Sequence, residues 1–145
     1  MIDAEPSSPP DLSVSDVADP AVHDVILDGL KAFNEAQAGP SDLRPLVVAV
    51  RQGERVVGGL WGGTSRAWLS IDLLFLPEAL RQGGLGARAV ALAEAEARAR
   101  GCVGAWLYTY SFQARAFYER LGYAVFGRLA DNPPGHERLF MQKRL

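Results

Sequence analysis

The chain has 145 residues, 48% of them apolar and 22% charged, with a formal charge of −2 and a single cysteine. Those values exclude a basic field for nucleic acid, an internal disulfide framework and a membrane span, which needs about 20 consecutive apolar residues. The length suits one domain, burying roughly 70% of its unfolded surface. The first residues lack the basic start and apolar stretch of a signal peptide, so the cytoplasm is the expected compartment.

Residues 1–10 are rich in Pro, Ser and acid and are expected to form a flexible tail, with residues 11–145 as a single domain. Leu12, Ser13 and Val14 are read as a short first strand. Asp19 and Pro20 mark a helix start, and Val22, Ile26, Leu27, Leu30 and Phe33 recur at spacings of three and four on one helical face. Ala38-Gly39-Pro40 ends that helix. Residues 46–50 and 55–61 read as two strands around a hairpin turn at Gln52-Gly53, and Gly62-Gly63-Thr64-Ser65 as a second turn. A long strand follows over residues 67–76, stopped by Pro77. An alanine-rich helix spans residues 85–100, with Glu94–Arg98 and Glu96–Arg100 pairs on an exposed face and Gly101 as its cap. A strand over residues 103–109, a helix over 112–121 begun by Ser111 and ended by Gly122, and strands over 123–129 and 139–143 complete the chain. The order is a helix, a hairpin meander, then βαβ. It predicts an α/β (α+β) fold: a mixed central sheet of six to seven strands with helices on both faces.

The turn between residue 76 and the alanine-rich helix is the first functional signal. Arg81, Gln82, Gly83, Gly84, Leu85 and Gly86 stand between a strand and a helix N-terminus, where backbone N–H groups can receive an anion. The order of the glycines does not fit a dinucleotide fingerprint, and Ala87-Arg88 stands where a P-loop needs Lys-Ser/Thr. The pattern that fits is Arg/Gln-x-x-Gly-x-Gly/Ala, as Arg81-x-x-Gly84-x-Gly86. The second signal, after the next strand, is Ser111-x-x-Ala114-x-x-Phe117-Tyr118-x-x-x-Gly122-Tyr123.

In this order the two motifs resemble the GNAT acyltransferases, closely over residues 45–145 and by topology alone over the first helix. The resemblance implies acetyl-CoA as acyl donor and a primary amine as acceptor, either a small molecule or a lysine side chain. Residues 81–86 would take the pyrophosphate. The backbone of Leu74, Phe75 and Leu76 would meet the pantetheine arm where the family's strand carries a bulge and splays from its neighbour near residues 107–109. Arg88 is left between the 3′-phosphate and water. Ser111 stands where the family has Asn, a pantetheine contact, and its alternative role is a helix N-cap. Tyr118 is the candidate general acid for the departing thiolate; the alternative is a packing tyrosine. Asp72 lies mid-strand in an apolar run and is the candidate base for the ammonium of the acceptor; the alternative is an outward-facing surface acid. Strict alternation would set Ser70, Asp72 and Leu74 on one face. Asn34, Glu35 and Gln37 lie where the family forms a wall of the acceptor site. Cys102 has no neighbouring His and is read as a small core residue, and no spacing suggests a metal site. Homodimers are common in the family. The competing function is a non-catalytic acyl-CoA sensor or interaction domain on the same fold.

Overall fold

The computed structural model describes residues 8–145, which divide into two compact units, the first ending at Pro40 and the second spanning Ser41–Leu145. The tail expectation for residues 1–7 lies outside the described residues. In the first unit, residues 12–14 are not a strand. Its helix α1 spans Pro20–Ala38 as read from the sequence. The Asp19 side chain accepts from Ala21 N, and Gly39, at φ 81°, returns its N–H to the Glu35 carbonyl.

The second unit is a six-stranded sheet, β1 (Arg44–Gln52), β2 (Arg55–Ser65), β3 (Trp68–Phe75), β4 (Gly104–Tyr110), β5 (Ala124–Ala130) and β6 (Glu137–Arg144). The spatial order is β1-β2-β3-β4-β6-β5, and every pair is antiparallel except β3–β4. Helix α2 (Leu85–Ala99) makes the β3–β4 crossover and α3 (Arg115–Arg120) links β4 to β5. Both connections move in the same direction across the sheet, so right-handed crossovers place both helices on one face. Accordingly Val90, Ala93 and Ala97 of α2 share one buried cluster with Tyr118 of α3 and with Leu60, Leu69, Ile71 and Leu107 of the sheet.

Two local readings change. Residues 62–65 are not a turn but the end of β2, and the hairpin turns instead at Arg66 and Ala67, both at positive φ. The glycine at position 62 answers a close approach: a Cβ there would lie 2.1 Å from the Ser70 carbonyl oxygen. Glu94 does not pair with Arg98 on an exposed face. It sits at 4% exposure on the sheet side of α2, where Lys143 Nζ of β6 meets its Oε2 at 2.7 Å. Glu96 and Arg100 do pair, at 2.9 Å, and Arg100 also donates to the Pro45 carbonyl and the Thr64 hydroxyl. That clamps the end of α2 to β1 and β2.

Candidate active site

The site is built on an interruption of the sheet. β3 pairs with β4 from Trp68 opposite Gly104 to Ile71 opposite Leu107, and the pairing stops there although both strands continue. On the other side of β3, Trp61 stands opposite Leu73 and Gly62 opposite Ile71, so Asp72 has no cross-strand partner: it is a β-bulge. The extra residue shifts the phase of alternation. Leu69 and Ile71 face the core before it, Leu74 packs against the same core after it, and Leu73 and Phe75 turn outward. The expectation that Leu74 shares a face with Ser70 and Asp72 therefore fails, because period-two counting assumes an unbroken ladder. The bulge increases local twist and parts β3 from β4, leaving backbone groups of residues 72–75 on the β4 side without a strand partner.

Two cavities adjoin this opening, and Leu74 lines both. The first, about 400 Å³, is lined by Leu74, Leu76, Arg81, Gly84, Gly86, Ala87, Phe117, Arg120 and Leu121. Gly84 is the N-cap of α2 at φ 74°, so it contributes no capping side chain, and the first turn of the helix carries no acid. The orphan N–H groups of that turn face a cavity whose charged side chains, Arg81 and Arg120, are both cationic. This donor set fits a diphosphate and lacks any group that would repel one. Arg81 is positioned by its Nε, which donates to the Leu76 carbonyl at 2.9 Å, and its guanidinium lies 5.9 Å from the Phe75 ring. Gln82 and Gly83 complete the turn on the exposed side, and Leu85 opens the helix.

The second cavity lies between the parted strands. It is lined by Ile71, Asp72, Leu73 and Leu74 from β3, by Tyr108, Thr109 and Tyr110 from β4, and by Gln113, Ala114 and Tyr118 from the following segment. Gln113 Oε1 accepts from Tyr110 N at 2.8 Å and the Thr109 hydroxyl faces Ala114 N, so the turn out of β4 is held from inside. Tyr118 is 6% exposed, and burial pushes its phenol from 10 up to about 12. The Ser70 hydroxyl donates to Asp72 Oδ1, which orients the exposed carboxylate.

The placements of Ser111 and Arg88 bear on the sequence reading. Ser111 does not cap α3, whose N-cap is Ala114. It is tied to β6 instead: its N–H donates to the Glu137 carbonyl at 2.8 Å and its hydroxyl accepts from Glu137 N at 3.0 Å. It lines neither cavity of the gap. Arg88 lines a separate cavity against β1, with Val48 and Val50, so Arg120 and not Arg88 stands beside Arg81. The signal for Arg120 was present in the sequence: Phe117, Arg120 and Leu121 follow the i, i+3, i+4 spacing of one helical face.

Burial of two phenols has a consequence for stability. Tyr118 and Tyr123 pack ring to ring at 5.8 Å, and both are pushed above the ordinary 10, Tyr123 by burial and then by the Glu94 carboxylate. Below pH 10 the folded and unfolded chains hold the same phenolic protons. Above it the unfolded chain releases them first, so it binds fewer protons and stability falls with rising pH until the folded phenols ionise. Thermal melts are expected to show a Tm flat with respect to these groups up to about pH 9.5 and falling above it, and Tyr123→Phe to reduce that fall.

Against known proteins, the chain matches the acetyltransferase (GNAT) family model over residues 17–123. It is 42% identical to an acetyltransferase of Agrobacterium fabrum over 132 residues, covering 90% of this chain and 96% of that protein. It is 36% identical to a blasticidin-S acetyltransferase of Streptomyces morookaense over 134 residues, 92% of this chain and 94% of the relative. A crystal structure of an acetyltransferase from Agrobacterium tumefaciens superimposes with a TM-score of 0.88 at 41% identity, covering 93% of this chain and 99% of that one. A mixed sheet parted at a bulge, with an anion-accepting helix start at one end of the gap, defines an acyltransferase that takes a phosphorylated thioester donor. The chain belongs to the GNAT acetyltransferase family. It is an acetyl-CoA-dependent enzyme that acetylates an amine, and the sensor alternative falls away.

Proposed function

We propose that this enzyme acetylates a small-molecule primary amine by direct attack, with residues 81–86, Arg120 and the β4-side backbone edge of residues 74–76 holding the donor and with Asp72 and Tyr118 moving protons. The observation that carries the reading is the bulge at Asp72. It opens the sheet beside two cavities, one at the Arg81–Gly84 turn and one holding Tyr118, with Leu74 lining both. Acetyl-CoA supplies an activated acyl group as a thioester. An extended pantetheine arm can pair with the open edge of β3 as a strand does, and α2 receives the phosphates.

The acceptor arrives as an ammonium and must lose a proton before its lone pair can attack. Asp72, oriented by Ser70 and exposed to solvent on the gap, takes that proton directly or through water. Tyr118 plays a narrower part than a phenol of ordinary acidity would. Held at about 12, it keeps its proton throughout the working pH range, and full transfer to a thiolate whose thiol ionises near 8.5 would be uphill by roughly 5 kcal/mol. It therefore stabilises the sulfur by donating a hydrogen bond as negative charge develops, and the proton that ends on the thiol comes from the amine through Asp72 or water. The family match spans both compact units, which supports residues 11–145 acting as one domain. No helix among the described residues is long and apolar enough to cross a membrane, and we place the enzyme in the cytoplasm with its donor.

The test is an amine panel with acetyl-CoA, read by thiol release. A chain that binds acetyl-CoA yet releases no thiol with any primary amine would end the reading. Within that assay Asp72→Asn keeps the shape and removes the base. Turnover is expected to drop about 10²-fold at neutral pH with donor affinity unchanged, and the deficit to shrink as pH rises and free amine becomes abundant. A variant profile parallel to the wild type would make Asp72 a surface acid.

A further inference from the structure

We propose that the face of the sheet opposite α2 and α3 binds the acceptor through a planar cation, a guanidinium or amidinium carried on the same molecule as the reacting amine. This rests on the acetyltransferase reading and names its substrate class. The chain has three tryptophans, and all three, Trp61 of β2, Trp68 of β3 and Trp106 of β4, line one cavity of about 380 Å³ on this face. The volume is that of a small-molecule site. Two of the indoles are costly to leave where they are: Trp61 is 55% exposed and Trp106 38%. Packing does not require them, since Leu60, Ala105 and Leu107 beside them fill the core from the other face.

The electrostatics select the ligand. Asp72 is the one charged side chain in the lining, so the cavity offers aromatic faces and a single carboxylate. An anion would meet a like charge there, and a plain alkylammonium is a compact, strongly hydrated point charge with no face to stack on the indoles. A flat cation uses both. The same sheet already holds such a contact, because the Arg144 guanidinium lies 5.2 Å from the Trp68 ring centroid, while Gly104 packs against that ring so closely that a Cβ would come within 2.4 Å of it. Trp68 is thus committed to the fold, and Trp61 and Trp106 are the recognition pair. Asp72 gives the cavity its direction. It lines this cavity and the gap that holds Tyr118, so an acceptor seated on the indoles reaches the parted strands at the bulge. Donor and acceptor then approach from opposite faces and meet at Asp72.

Because every tryptophan lies at this cavity, emission excited selectively at tryptophan reports on it. The experiment titrates the intact protein with agmatine, which joins a primary amine to a guanidinium, and with N-(4-aminobutyl)urea, which keeps the amine and replaces the guanidinium by an uncharged planar head. A saturable emission change with agmatine, at a Kd about tenfold below that of the urea, is expected. Trp61→Leu and Trp106→Leu should each erase most of that difference while leaving acetyl-CoA affinity unchanged. Trp106→Phe, a milder change, should keep part of it. Equal affinity for the two amines, or no saturable response to agmatine, overturns the proposal. Thiol release with other amines in that event leaves the acetyltransferase reading standing, and the absence of thiol release with every amine removes that reading separately.

Discussion

Tyr118→Phe is expected to lower turnover by roughly 10²- to 10³-fold while moving the Michaelis constant for acetyl-CoA little. The substitution keeps the ring that packs against Phe117 and Tyr123 at 5.0 and 5.8 Å, so the buried cluster survives. What it deletes is one hydroxyl, the group proposed above to donate to the sulfur as negative charge develops there. A donor that acts chiefly in the transition state changes kcat more than ground-state binding. Because burial holds the phenol at about 12, the wild-type rate should show no alkaline decline from Tyr118 below about pH 11, rising instead as the amine loses its proton. Near wild-type turnover in the variant, with chemistry shown to be rate-limiting, would assign the sulfur to water or another donor.

Gly84→Glu is expected to cost the larger share of donor binding. Gly84 caps α2 at φ 74°, a conformation that costs a residue with a Cβ about 1–2 kcal/mol, and an added Cβ there meets no other atom within 4 Å. The variant should fold, weakened but intact, and place a carboxylate at the mouth of the phosphate cavity. Like charges about 4 Å apart repel by roughly 4 kcal/mol near a protein surface. Solvent exposure and a flexible side chain reduce that, so calorimetry is expected to show acetyl-CoA affinity down about a hundredfold. Gly84→Asn, which tolerates the left-handed region and adds no charge, separates backbone strain from repulsion and should lose only a few-fold. If both variants bind alike, the loop does not hold the phosphates.

Much of this was legible in the chain because it is local. The cap at Asp19, the stops at Gly39, Gly101 and Gly122 and the glycine turn ahead of α2 each depend on the φ/ψ demands of a few neighbouring residues, and they stand where the pattern put them. The Ser111 cap was misread for the same reason. Ser ahead of a helical segment is a good local cap, but its hydroxyl found Glu137 of β6, 26 residues on, and helix α3 began later.

Sequence alone determined the order of the elements, the glycine turn ahead of α2 and the Phe117-Tyr118 step, since propensity, capping and glycine freedom act within a turn or two of chain. Only the tertiary structure decided which of those residues meet. The bulge at Asp72 is a property of two strands in register, and no single strand records it. It moved Leu74 into the core and opened β3 from β4. Glu94 became a buried partner of Lys143, 49 residues away, because the small residues of α2 let the helix lie close on the sheet. Trp61, Trp68 and Trp106 are far apart in the chain and come together only because three adjacent strands set them side by side. Burial and charge pairing are decided by neighbours distant in the chain, so the shape of the site was fixed only when the sheet closed.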